Sequence, residues 1–456
     1  RSPVFSSRKG SCCLSRLCEL RGPKANACTP ATTTGSETLE HKNRRVLIKI
    51  RRMASGETAS LPVATVHDLF VYPVKACRGI SLKEVRVNGL GFEHDRMFCV
   101  VDLLGSRYPE RQALSQRQLP ALASICVDYG LKDGKQELIL TVPGVTEKIH
   151  VPIDEKSYEK QADVLVECAG KSTTSRGGWS LGVLPGKYIY SALLSSYLNG
   201  AEMSGRRKLP KSQYVLVRAL SSSAARTLST YAGPVQAPYS PDLSKQREGH
   251  GSPFRMQDVN VKPTDRLYFQ DMAPCNLASL DSLRALSQEM SEETGNSIEL
   301  SIQCFRPNII VTGGDEFSEE NWDHFQIGDE ARFRHLKLTP RCTVPSRNPT
   351  DGSWLYPQNK LLVSKVLKGM FPEKTKDREW EEQWQGPCFG VHIGCEEGLR
   401  RSKYVTMHVG DKVRVFSYRK LREDDSRIGI ICTYMLSLIM TIFVVVLFIY
   451  AMRPHE

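Results

Sequence analysis

From residue 65 to 165 the apolar positions fall in short alternating or continuous runs: Leu82, Val85, Val87 and Leu90, then 97–101, then 138–142. Gly89, Gly91, Gly105, Gly134 and Gly144 separate them. Short runs between glycine turns predict the strands of a small barrel or sandwich. The period then lengthens. Tyr190, Leu193, Leu194, Tyr197 and Leu198 share one helical face between Pro185-Gly186 and Gly200, which predicts a helix. Residues 201–262 lose regularity. They hold a basic cluster (Arg206, Arg207, Lys208, Lys211), a strand-like stretch at 214–220, then Ser221-Ser222-Ser223 and a scatter of proline and glycine. This reads as a long polar insertion.

Order returns at 264. Leu280, Leu283, Leu286 and Met290 mark a helix with Asn276 or Ser279 as its cap. Strands are expected at 308–312 and 331–338. A further helix over 357–370 carries Leu362, Val363, Val366, Leu367 and Met370 on one face. The runs 404–409 and 412–418 flank Gly410-Asp411 and predict a closing hairpin. The architecture expected is α+β: a β-barrel with peripheral helices behind an N-terminal β-rich domain.

Residues 428–452 contain no charged side chain. As a helix they would extend about 37 Å, enough for the roughly 30 Å hydrocarbon core of a bilayer. Arg419, Lys420, Arg422 and Arg427 precede the run and four residues follow it. The reading is a C-terminal tail anchor with the preceding domains in the cytosol, on the mitochondrial outer membrane or the endoplasmic reticulum. The division expected is a basic leader (1–64), an N-terminal domain (65–200), an insertion (201–262), a second domain (263–418), a basic linker (419–427) and the span.

Charge sharpens this picture. Of the net +12 of the 456-residue chain, +9 lies in residues 1–52, so the excess belongs to the leader and does not describe a nucleic-acid-binding face. That leader reads either as a mitochondrial presequence or as sequence upstream of a start at Met53. Four of the 14 cysteines (Cys12, Cys13, Cys18 and Cys28) lie there, and no Cys-x-x-Cys pair occurs anywhere. Zinc-ribbon, thioredoxin and ferredoxin spacings are therefore excluded, and scattered thiols suit a reducing compartment.

Candidate chemistry lies in four segments. Lys337-Leu338-Thr339-Pro340-Arg341-Cys342-Thr343-Val344-Pro345, closing on Asn348-Pro349-Thr350-Asp351-Gly352, sets a thiol beside an arginine at a strand end. A thiolate in that setting is a nucleophile or a soft-metal ligand. Cys304-Phe305-Arg306-Pro307-Asn308 opens an apolar strand, and Tyr72-Pro73-Val74-Lys75-Ala76-Cys77-Arg78-Gly79 is followed by His94-Asp95-Arg96. Together and in this order they resemble the MOSC-domain family, in particular the amidoxime-reducing components of mitochondria and their fungal-type relatives. The resemblance covers residues 65–418, with a divergent stretch in the middle.

The resemblance implies a molybdenum–pterin cofactor with Cys342 as the protein's ligand to the metal. It implies that Lys75 and Arg96 bind the phosphate and pterin, that Arg306 and Asn308 line the cofactor cleft, and that Arg341 adjoins the ligand. Asp271 matches an acidic residue near the metal, where it either positions or protonates substrate or is simply a turn residue before Pro274. Cys77 and Cys304 read as core thiols. Ala76 departs from the serine common in relatives. The implied activity is two-electron reduction of N-oxygenated compounds such as amidoximes, N-hydroxylated bases or hydroxamic acids. Nucleotide, haem and iron–sulfur motifs are absent, so electrons would come from outside, in relatives from cytochrome b5 and NADH-cytochrome b5 reductase. The alternatives are a sulfur carrier or transferase using Cys342, or a non-catalytic cofactor-binding module.

Overall fold

The computed structural model describes residues 62–104, 111–158, 163–167, 179–183, 190–200, 212–219, 226–227, 266–370, 387–396 and 404–419. Its largest sheet has eight strands: β1 (Ala64–Val71), β2 (Ile80–Leu82), β3 (Cys275–Ser279), β4 (Ile309–Thr312), β5 (Trp322–Ile327), β6 (Ala331–Pro340), β7 (Cys388–Cys395) and β8 (Lys412–Tyr418). Pairing runs β4-β3-β7-β6-β5-β8-β1, and β1 returns to pair with β4. Seven strands thus close into a barrel, with β2 hanging on β1. Closure satisfies backbone groups that an open sheet would leave at its edges. Val66, Leu277, Val311, Phe325, Phe333, Val391, Ile393 and Val413 belong to its core cluster.

Helices α1 (Ser191–Leu198), α2 (Leu280–Thr294) and α3 (Leu362–Met370) lie outside the barrel strands. Strands β3 and β4 are parallel, so α2 serves as the crossover between them. Ser279 caps it, accepting from the N–H groups of Asp281 and Ser282, and Gly295 ends it in the left-handed region. Asn276, the other candidate cap, lies within β3. Leu283, Leu286 and Met290 of α2 pack with Val363, Val366 and Leu367 of α3. The last helix starts at Leu362, not at 357, because residues 357–361 are held in turns.

The N-terminal half carries a five-stranded sheet in which Phe98–Asp102 pairs with Tyr214–Ala219, and a meander formed by Cys126–Lys132, Lys135–Thr141 and Ile149–Pro152. The strand expected at 214–220 is Tyr214–Ala219, and it belongs to this sheet, so that part of 201–262 is core and not insertion. All six of its residues are buried, and Arg218 is satisfied there by the carbonyls of Ile153 and Ala219. Strand β1, expected in the N-terminal domain, is a stave of the barrel. The chain therefore begins in the barrel, leaves it, and re-enters at β3.

The closing hairpin is likewise corrected. Val405–His408 pairs with Glu84–Asn88, whereas β8 pairs with β5 and β1. The turn between them is pinned to β1 by bonds from Gly410 N–H to the Val66 carbonyl and from Val66 N–H to Asp411, which diverts the chain from one sheet to the other. Among the described residues no helix is long and apolar enough to cross a membrane. The leader up to residue 61 and the apolar run 428–452 lie outside the described residues.

Candidate functional site

Between the barrel and the N-terminal half lies a cleft of about 320 Å³. Lys75, Arg96, Asp271, Arg306, Asn308, Arg341 and Cys342, the seven residues singled out from sequence, all line it. They come from segments up to 267 positions apart, numbered 75 to 342, so their convergence is tertiary.

Asp95 is the hub behind the cleft. Fully buried, its carboxylate accepts from the Tyr72 N–H (2.9 Å), the Arg96 guanidinium (2.7 and 2.8 Å) and the Asn308 amide (3.0 Å). Asn308 also donates to the Phe70 carbonyl and accepts from Arg96 and the Asn276 N–H. Its amide is thus engaged on both sides, so Asn308 serves as scaffold for the cleft wall. Arg96 and Arg306 each lie over the Tyr72 ring, 4.3 Å from its centroid. A side chain at Gly79 would meet that ring at 2.5 Å, which explains the glycine closing the Lys75 motif.

The backbone is strained in the same place. Of the six non-glycine residues with positive φ among those described, Ala76 (69°), Arg96 (49°) and Arg306 (52°) line the cleft. Such conformations cost of order 1–3 kcal/mol and persist where surrounding contacts over-determine them. Arg306 is held by its N–H to the Gln303 carbonyl and its guanidinium to the Cys77 carbonyl (2.7 Å).

The charge balance is lopsided: Lys75, Arg96, Arg117, Arg306 and Arg341 face a single carboxylate, Asp271. Burial lowers the pKa of Arg306 and takes Arg341 down to about 10. Burial works most strongly against charge on Arg96, but Asp95, Tyr72 and Asp271 together outweigh it and the pKa is raised. A cleft of this kind favours anionic groups and oxygen-rich edges. Lys75 is buried, donates to the Phe269 carbonyl (2.7 Å) and pairs with Asp271, whose side chain stays 58% exposed.

Cys342 follows the end of β6 and is exposed. Arg341 anchors this corner by donating to the carbonyls of Phe389 (2.6 and 2.9 Å) and Phe305 (2.8 Å), so its fork braces β6 against β7 and the 3-10 turn at Ile302–Phe305. Cys77 and Cys304 are buried, and desolvation pushes both thiols up to about 12. They are inert core thiols, as expected.

Several cleft residues were not singled out from sequence: Ser115, Gln116, Arg117, Asn276, Thr339 and His392. Gln116 holds the Ala76 carbonyl at 2.7 Å, and Thr339 donates to the Asn276 side-chain carbonyl at 3.1 Å. The available signal was a polar residue within an apolar strand run, as in Val391-His392-Ile393, which periodicity alone does not rank above a satisfied core residue. Among the described residues no group of three or more His, Cys, Asp or Glu is arranged to hold a metal ion.

The model of the MOSC N-terminal beta barrel domain matches residues 63–178 and that of the MOSC domain matches residues 264–414. Mitochondrial amidoxime-reducing component 1 is 24% identical in Xenopus laevis, over 76% of this chain and 82% of that protein. The Homo sapiens protein of the same name is 23% identical over 77% and 82%. Molybdenum cofactor sulfurase of Solanum lycopersicum is 22% identical over 62% of this chain, which spans only 29% of that larger protein. With both domains matched in order around the cleft they build, the chain belongs to the MOSC-domain family.

Proposed function

We propose that this protein is a molybdenum-cofactor oxidoreductase that reduces N-oxygenated compounds with electrons from an external carrier. The observation that carries the reading is the meeting of an exposed thiol, Cys342, with five cations and one carboxylate in a single cleft. The donor set fits a molybdenum–pterin group. A dithiolene brings its own two sulfurs, so one soft thiolate suffices from the protein. Its phosphate and polar edges suit fixed ammonium and guanidinium donors.

In this reading Cys342 is the metal ligand, Lys75 and Arg96 meet the phosphate and pterin, and Arg306 and Arg341 shape the wall. When bound, the cofactor would supply two-electron redox chemistry at the metal. Asp271, held by Lys75 yet more than half exposed, presents a carboxylate to the cleft that can accept or return a proton. Asn308 and Asp95 keep Arg96 aimed without themselves needing to move.

The external carrier we infer is cytochrome b5, itself reduced by NADH-cytochrome b5 reductase. The apolar run 428–452 would tether the domain to a bilayer, at the mitochondrial outer membrane or the endoplasmic reticulum, and the names of the relatives favour the mitochondrion. Sharing a membrane with the carrier would raise its effective concentration.

The test is molybdenum content of the full chain, purified from a host that makes the pterin cofactor. About one metal per chain is expected, lost in Cys342→Ala. Negligible molybdenum in folded wild-type protein would sink the reading. The likeness to molybdenum cofactor sulfurases supports a second one, in which Cys342 carries sulfur. Cys342→Ala protein that keeps its metal while losing sulfur transfer would favour that alternative.

A further inference from the structure

His392 lies on β7 at the floor of the cleft, cross-strand from Asn276 on β3 and from Lys337 on β6. It is 9% exposed. Its Nδ1 is sealed from solvent with no hydrogen-bond partner, so what the ring offers the cleft is its Nε2 edge. Each neighbouring donor already holds a protein partner, and the N–H groups that Lys75 and Arg96 have left over face the cofactor in the reading above. Arg341 holds two backbone carbonyls, Arg306 holds Cys77, Arg96 holds Asp95 and Asn308, and Lys75 holds Phe269 and Asp271. The Asn276 amide is taken by Thr339 and the Phe305 carbonyl.

The surroundings also choose the tautomer. The titratable groups close enough to act on His392 are Lys337, Arg341 and Arg96, with Asp271 as the one carboxylate. Burial first, then these basic groups, hold its pKa well below the ordinary value, so the ring is neutral. An orphan N–H at Nδ1, sealed from solvent and near the guanidiniums of Arg341 and Arg96, would be unfavourable, whereas a lone pair there is stabilised by them. The proton therefore sits on Nε2, and His392 is a neutral donor aimed into the cleft.

We propose that His392 recognises the oxygen of the substrate's N–O group, its Nε2–H donating to that oxygen. This deepens the reductase reading and rests on it. In the reaction the N–O bond breaks: R–CO–NH–OH, two electrons from the external carrier and two protons from water give R–CO–NH2 and H2O. His392 keeps its proton throughout. Its hydrogen bond strengthens as negative charge gathers on the departing oxygen, which is where a preorganised donor lowers a barrier most.

The test compares benzohydroxamic acid with benzamide, both uncharged at neutral pH and differing by that oxygen. Binding of each to the molybdenum-loaded full chain is measured by calorimetry, together with molybdenum content, kcat and KM. Wild type should prefer the hydroxamic acid. His392→Phe should cut the preference roughly tenfold, the worth of one hydrogen bond in a buried site, and should lower kcat by about 10- to 100-fold with metal content unchanged. His392→Gln, whose Nε2 donates from the same region, should recover part of both; His392→Leu stands in if the Phe variant does not fold.

A preference unchanged in both apolar variants overturns the proposal, and so does loss of molybdenum on substitution, which would assign His392 to the cofactor. If wild type carries no metal, the reductase reading fails separately. The same binding comparison on the metal-free chain then decides the role of His392: a preference abolished by His392→Phe sustains recognition of the N–O oxygen, and no preference refutes it.

Discussion

A carboxamide whose every polar atom is engaged is a keystone. Asn308 bonds to Phe70, Asp95, Asn276 and Arg96, joining β1, the His94-Asp95-Arg96 turn and β3. Asn308→Ala would leave the Asp95 carboxylate and the Phe70 carbonyl short of donors in a dry environment. We expect a loss of about 2–4 kcal/mol, at the upper end for a buried polar deletion, read from urea denaturation. A loss below about 0.5 kcal/mol would show that the network is redundant. The same position was legible from sequence only as a member of a motif. Three of its four partners lie 212 to 238 residues away along the chain, which no local pattern encodes.

At the scale of elements, the turn after Cys342 clamps the two halves of the protein. Arg78 donates to the Thr350 carbonyl and the Ser124 hydroxyl to the Asp351 carbonyl, while Gly352 lies against the 3-10 turn Pro120–Ser124. Gly352 has a φ of +76°, and a Cβ there would come within 2.2 Å of the Pro120 carbonyl oxygen. Gly352→Ala thus combines backbone strain with a backbone clash. The expected cost is about 2–4 kcal/mol, seen as a lower denaturation midpoint, and wild-type stability would contradict this packing. The Asn-Pro-x-x-Gly turn itself was readable from composition. What it grips was not, and the Gly410-Asp411 turn likewise has a hairpin's local pattern although β1 holds it.

Across the whole molecule, buried bases held uncharged make stability depend on pH. Burial lowers the His335 pKa to about 3 and the Lys337 pKa to about 7, and His392 lies well below its usual value through burial and the cations around it. For all three the folded pKa is below the unfolded one, so the unfolded chain binds more protons and stability rises with pH. The histidine contribution is present above pH 6.5 and is lost as pH falls toward 3. The Lys337 contribution is present above 10.5 and is lost as pH falls toward 7. Unfolding free energy measured from pH 5 to 9 should climb by a few kcal/mol, and His335→Leu should flatten the acid part of the curve. A level profile in the parent protein would contradict neutral burial of these groups.

Sequence by itself determined the β-barrel with peripheral helices, the capped helix through Leu280 and Met290, the family and seven residues of the cleft: these rest on local propensity, on spacing and on motifs. The tertiary structure decided the rest. That β1 belongs to the barrel, that Val405–His408 leaves it, that Tyr214–Ala219 is core, and that His392 stands beside Asn276 and Lys337 are all outcomes of strand pairing between distant segments. Strand register is set by closure of the barrel and by which faces become buried, and neither quantity exists until the chain has folded.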